Sequence, residues 1–135
     1  MNREIKFRAW SKATEKMMDW EFIKVHGNFN KVLTLNHVEV MQFTGLTDKN
    51  GKEIYEGDIL REPAKSDWDK INYSCYEVFF HDNDANLDYN VGFSISRMHN
   101  HGSVCGGFIP SFKPKQVSNM IVIGNILENP ELLCN

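Results

Sequence analysis

Residues 41–60 read MQFTGLTDKNGKEIYEGDIL, and their pattern decides the fold class. Two β-type runs flank Asp48-Lys49-Asn50-Gly51, and the stretch closes on Tyr55-Glu56-Gly57-Asp58-Ile59-Leu60. Asn-Gly between such runs is the strongest short-range hairpin signal, because a type I′ turn needs positive φ at both central residues. Asn50 and Gly51 are expected to form that turn. Gly57 marks a second sharp bend, which Asp58 can fix by accepting hydrogen bonds from nearby backbone. The stretch predicts an all-β domain with tight turns. It carries no chemistry of its own.

Working outward, Ile5-Lys6-Phe7-Arg8-Ala9-Trp10 alternates at period two. Ile5, Phe7 and Ala9 fall on one strand face; Lys6, Arg8 and Trp10 fall on the other. A polar turn over 11–16 leads to renewed strand propensity over 17–25, ended by Gly27-Asn28. Residues 31–43 read as one or two further strands, with Leu33, Leu35, Val38 and Val40 as core candidates. The phase shift between them at Asn36-His37 is a bulge or a turn. Residues 62–73 read as a surface loop, 75–80 and 91–97 as strands, and 98–107 as a flexible excursion. The apolar, β-branched run at 120–127 predicts a strand buried on both faces, with Asn125 satisfying backbone at a bulge beside Gly124. Asn129-Pro130-Glu131 carries the signature of a short helix start: cap, preset φ and an anion near the positive end.

The stretch that decides the fold also resembles the core motif of the YopX family, small proteins found mainly in bacteriophages and prophages. NREIKFRAW at 2–10, with Lys12 and Thr14-Glu15-Lys16-Met17 after it, resembles the family's opening. VIGNILENPELL at 122–133 resembles its close, while 62–115 follows the family least. The resemblance implies a mainly β fold and some tendency to self-associate. It implies no established activity and supplies no catalytic residues.

Composition bounds the function. A chain of 135 residues favours one domain, taken as 1–135, with a self-sufficient core. A hydrophobic fraction of 41% with 12% aromatics suits a globular protein. No run approaches the roughly 20 apolar residues that span a bilayer, so no membrane partner is expected. The opening MNREIKF lacks the apolar core of a signal peptide. Three cysteines, Cys75, Cys105 and Cys134, lack paired spacing, which argues against a disulfide framework and for a reducing cytosol; with the resemblance, this implies the cytoplasm of a bacterial host. Net charge is −3 and uneven: seven Lys and Arg against four acids over 1–32, eight against fourteen over 33–135. An acidic whole disfavours non-specific nucleic-acid binding, although the N-terminal excess can form a local basic face.

Few constellations point to chemistry. His99-x-His101 with Cys105 presents the preferred zinc ligands, and Cys75 or His81 can complete a set, yet paired CxxC spacing is missing. Scattered histidines in a polar loop are the commoner arrangement. His81-Asp82-x-Asp84 reads as turn chemistry, since a calcium loop needs a longer run of oxygen ligands and a terminal Glu. Glu56 and Asp58, flanking Gly57, can bind a cation or act as an acid–base pair. No histidine or nucleophile sits beside them in sequence, so a structural role is the better reading. Ser103 and Ser111 lack a G-x-S-x-G elbow, and no phosphate-cradling Gly-rich loop is present.

The expected fold is mainly β, an antiparallel barrel-like or sandwich domain of about seven to nine short strands with a short C-terminal helix. Aromatics in excess of what a small core hides, Trp10, Trp20 and Trp68 among them, point to a homo-oligomer. The expected function is that of a phage or prophage accessory protein, not an enzyme and needing no cofactor. It acts by self-assembly or on an unknown host or phage protein. The alternative is a nucleic-acid-associated module whose N-terminal face, Lys6, Arg8 and Trp10, combines phosphate contacts with base stacking.

Overall fold

The computed structural model describes residues 4–26, 29–68, 75–81, 92–97, 108–109 and 114–132. Nine strands among them form two sheets, and every pairing is antiparallel. The first sheet has the order β2-β1-β3-β4, from β1 (Phe7–Ser11), β2 (Lys16–Met18), β3 (Val38–Thr47) and β4 (Glu53–Tyr55). The second has the order β8-β7-β6-β5-β9, from β5 (Asp58–Arg61), β6 (Cys75–His81), β7 (Gly92–Arg97), β8 (Phe108–Ile109) and β9 (Ile121–Asn125). A 3₁₀ turn at Pro130–Leu132 supplies the short C-terminal helix, with the Leu132 N–H bonded to the Asn129 carbonyl at 3.0 Å. The fold is mainly β and barrel-like, as the sequence predicts.

The ten-residue β3 serves two partners. Its first half pairs with β1, Val38 opposite Ser11 through Gln42 opposite Phe7. Its second half pairs with β4 through an irregular register between Phe43 and Thr47, where Gly45 takes φ +89°. The hairpin tip then reaches the second sheet. Asp48 accepts the N–H of Asn50 and of Lys52 on Oδ1, both at 2.8 Å, and that of Val122 on Oδ2 at 3.0 Å. The Lys49 N–H adds a bond to the Met120 carbonyl at 2.9 Å. One carboxylate thus closes the turn and fastens it to β9.

The turn itself corrects the type I′ expectation. Gly51 has φ +84°, while Asn50 is not among the residues with positive φ. The Gly51 N–H bonds the Asp48 carbonyl at 3.0 Å and the Asp48 N–H bonds the Lys52 carbonyl at 2.7 Å. That pattern is a type I turn followed by a left-handed glycine, the longer hairpin loop. Asp48 decides the outcome, since its side chain rewards the geometry that keeps Asn50 on the ordinary side of φ.

Met17 and Met18 lie in β2 as expected, but residues 20–25 and 31–35 depart from the strand reading. Helix α1 (Trp20–His26) follows β2, and α2 (Phe29–Thr34) precedes β3. Asp19 caps α1 through a 2.8 Å bond from the Phe22 N–H. Trp20 and Phe29 pack with Phe7 of β1, ring centroids 4.8–5.8 Å apart, and Ile23 is buried beneath. Leu33, a core candidate by alternation, is 54% exposed on α2.

The main core lies on one face of the second sheet, Leu60, Tyr76, Val78, Ile95 and Val122, joined by Ile54 of β4 and covered by Val117 of α3 (Pro114–Ser118) and by Met120. β9 is the end strand of that sheet, and Ile121 and Ile123 are only half-buried, so the expectation of burial on both faces fails. The predicted bulge is present, because Ile59 faces Gly124 while Leu60 faces Val122. Asn125 sits beside it, its Oδ1 accepting from Leu127 and Glu128 at 3.0 and 2.8 Å.

Candidate functional site

The densest group of charged and aromatic side chains lies where β1 meets β4 and β5. Alternation along β1 commits Phe7 to the helices and turns Arg8 to the opposite face. There an Arg8 terminal nitrogen donates to Asp58 Oδ1 at 2.6 Å and to the Glu56 carbonyl at 3.3 Å. Its guanidinium lies 4.7 Å from the centre of the Tyr55 ring. Asp58 uses its second oxygen to accept the Tyr55 N–H at 2.8 Å. Lys6 pairs with Glu53 and, at 3.3 Å, with Glu4, and it sits 4.6 Å from the centre of the Phe43 ring. The Tyr55 hydroxyl donates to Glu53 at 3.0 Å, which joins the two ion pairs into one network.

Gly57 makes the junction possible. Its φ is +82°, its N–H bonds the Val78 carbonyl at 2.8 Å, and its carbonyl accepts the Ile126 N–H at 2.9 Å. Its two neighbours turn inward: Glu56 accepts the Gln42 N–H at 2.8 Å, and Asp58 meets Arg8. The acid pair therefore serves backbone and guanidinium.

Burial governs the electrostatics. The Asp58 side chain is 1% exposed, and this raises its carboxyl above the ordinary value, while Arg8 and the Tyr55 N–H pull part of the rise back. The Tyr55 phenol is raised, first by burial and then by its bond to Glu53. Lys6 is raised by its hydrogen bond to Glu53. The Nε of Arg8 is buried without a partner among the described residues. Perturbed groups of this kind mark either active sites or structural ion-pair networks. Here Lys6 and Arg8 are met by Glu53 and Asp58, and the arrangement works as a clasp between the two sheets.

Lys6 and Arg8, expected to face outward with Trp10, keep only 14% and 12% of their side chains exposed and are bound to carboxylates. Two cations held this way do not form an open phosphate-binding face. Trp10 is half-buried, opposite Met17 on one side and Glu39 on the other. Asn50, Gly51, Gly57 and Asp58 all stand at turns or at the clasp. His99, His101 and Cys105 lie outside the described residues. Among the described residues no three His, Cys, Asp or Glu side chains gather as metal ligands do. Glu53, Tyr55 and Asp48 escaped the sequence reading. Glu53-x-Tyr55, two apart on a strand, was the available signal for the first two.

Two cavities lie away from the clasp. One of about 450 Å³ is lined by Lys49, Glu62, Lys65, Gln116 and Met120 at the hairpin tip. The other, about 580 Å³, is a largely apolar groove between β2 and the helices, where Met17, Met18, Phe22, Val32 and Leu35 line it beside Lys16, Asp19 and His37. No helix of the described residues is long and apolar enough to cross a membrane.

Comparison with known proteins agrees with this architecture. A crystal structure of protein EF1440 from Enterococcus faecalis matches with a TM-score of 0.65 at 26% identity, covering 98% of this chain and 100% of that one. No curated protein matches. The family model described as YopX protein matches residues 6–134, which takes in Lys6, Arg8, Glu53 and Asp58 of the clasp, the 48–51 turn and the Asn125 turn. The chain belongs to the YopX family.

Proposed function

We propose that this YopX-family protein is a non-catalytic accessory protein of a phage or prophage. It acts in the host cytoplasm through protein–protein contacts, self-assembly foremost. The observation that carries the proposal is the placing of large apolar side chains on the short helices: Phe22 is 48% exposed, Val25 73% and Leu33 54%. Phe22 also borders the 580 Å³ groove, so apolar surface continues from helix to cavity. Large apolar side chains exposed beside such a groove suit an interaction surface. The charged groups of a kind that serves catalysis or phosphate binding are instead engaged with one another in the clasp.

Size-exclusion chromatography with light scattering tests the proposal. The expected outcome is a mass that rises above 15.7 kDa with concentration. A monomer throughout, with salt-sensitive binding of single-stranded DNA at about 50 mM salt, would favour the nucleic-acid reading.

A further inference from the structure

The outward face of α1 has a self-complementary layout. With about 100° between successive residues of an α-helix, the buried Ile23 and half-buried Trp20 point inward. Val25, 73% exposed, then points almost straight out. Phe22 and His26 occupy one flank, their rings 4.6 Å apart, and Glu21 and Lys24 occupy the other, paired at 2.8 Å. The helix thus presents an apolar ridge with one acid and one base along the same edge.

We propose that a second copy of this chain docks here, α1 against α1 in antiparallel fashion about a two-fold axis. This rests on the self-assembly reading and names its contact. A two-fold perpendicular to both helices and centred between Glu21 and Lys24 keeps the charged flanks on the same side of the pair. Glu21 of each copy then stands level with Lys24 of the other, and Phe22 meets Phe22 across the opposite flank. A parallel arrangement about a two-fold along the helices sets each charged flank beside the partner's Phe22–His26 flank instead and gains no such pairs. Such isologous contacts are the commonest way for identical chains to pair, and charges beside an apolar seam set helix orientation. A seven-residue helix is only about 10 Å long, so the contact is small and the association weak and dependent on concentration.

Charge exchange tests the geometry by sedimentation velocity of the full chain from about 10 μM to 1 mM, a range suited to weak pairing. Glu21→Lys sets two bases against each other across the seam, and Lys24→Glu sets two acids against each other. Each variant alone should therefore dimerise about tenfold more weakly. An equimolar mixture of the two should recover wild-type association, since the mixed pair carries only opposite charges across the seam. Val25→Asp should leave a monomer. All three positions are exposed, and circular dichroism checks that each variant stays folded. Wild-type association that none of these changes disturbs overturns the α1 contact and leaves self-assembly standing. Wild-type protein that is monomeric throughout overturns both.

Discussion

Arg8 and Asp58 show how one buried pair ties distant parts of the chain together. Removing one partner leaves a buried charge with no counter-ion, a loss of about 3–5 kcal/mol in comparable settings. Asp58→Ala and Arg8→Met should each lose stability on that scale in urea unfolding. The double variant should lose clearly less than the two singles combined, as expected for groups in contact. Additive losses would mean that the 2.6 Å contact is energetically idle. Gly57 offers a second check. At φ +82° a Cβ is strained, and it would also meet Ile126 and the Met41 sulfur at 3.4 Å. Gly57→Ala should cost about 1–2 kcal/mol and Gly57→Val more, lowering Tm by roughly 5–10 °C. A valine variant that melts with the wild type would show that Gly57 is not held there by its backbone.

At the scale of elements, Asp48 couples the β3–β4 hairpin to β9. Burial alone would raise its carboxyl, but the N–H groups of Val122, Lys52 and Asn50 outweigh this and hold it below its ordinary 3.8. A carboxyl lowered on folding stabilises above its unfolded value and loses that contribution as pH falls through the folded one. The stability gap between wild type and Asp48→Asn should therefore be widest near neutral pH and narrow progressively below about pH 4. A gap independent of pH would contradict this assignment.

The same elements show what the sequence could reveal. Alternation and turn chemistry marked β1, β3–β5, β6, β7 and the terminal 3₁₀ turn, because strands of an antiparallel sheet carry their period locally. The helices were hidden for a physical reason. Trp20, Phe22, Ile23 and Val25 all favour strands, so propensity overrode the one helix signal present, the Asp19 cap. In the turn at 48–51, the Asp48 side chain outweighed the Asn-Gly dipeptide's own preference. The clasp was out of reach altogether. Arg8 and Asp58 lie 50 residues apart, and nothing local tells an alternating strand which carboxylate its cation will meet.

Across the whole molecule, the stretches that resemble the family most closely are occupied in folding. The 41–60 stretch builds the hairpin and the clasp, and the Asn125 turn finishes β9. Function is therefore sought on the outer surface, where Phe22, Val25 and Leu33 stand out toward solvent. The charge pattern sharpens the contrast with a nucleic-acid role: the N-terminal excess of Lys and Arg is partly consumed, with Lys6, Arg8, Lys12 and Lys24 all in ion pairs. The most direct test places both readings in one cell. Wild-type protein is sedimented over a range of concentrations, with and without a labelled single-stranded DNA, at about 50 mM salt, where phosphate contacts are strong. Self-assembly predicts a protein boundary that moves faster as concentration rises, while the DNA sediments as it does alone. Protein that stays at the monomer position without DNA at every concentration, yet carries the DNA in a shared boundary when it is added, would contradict self-assembly and favour the nucleic-acid reading.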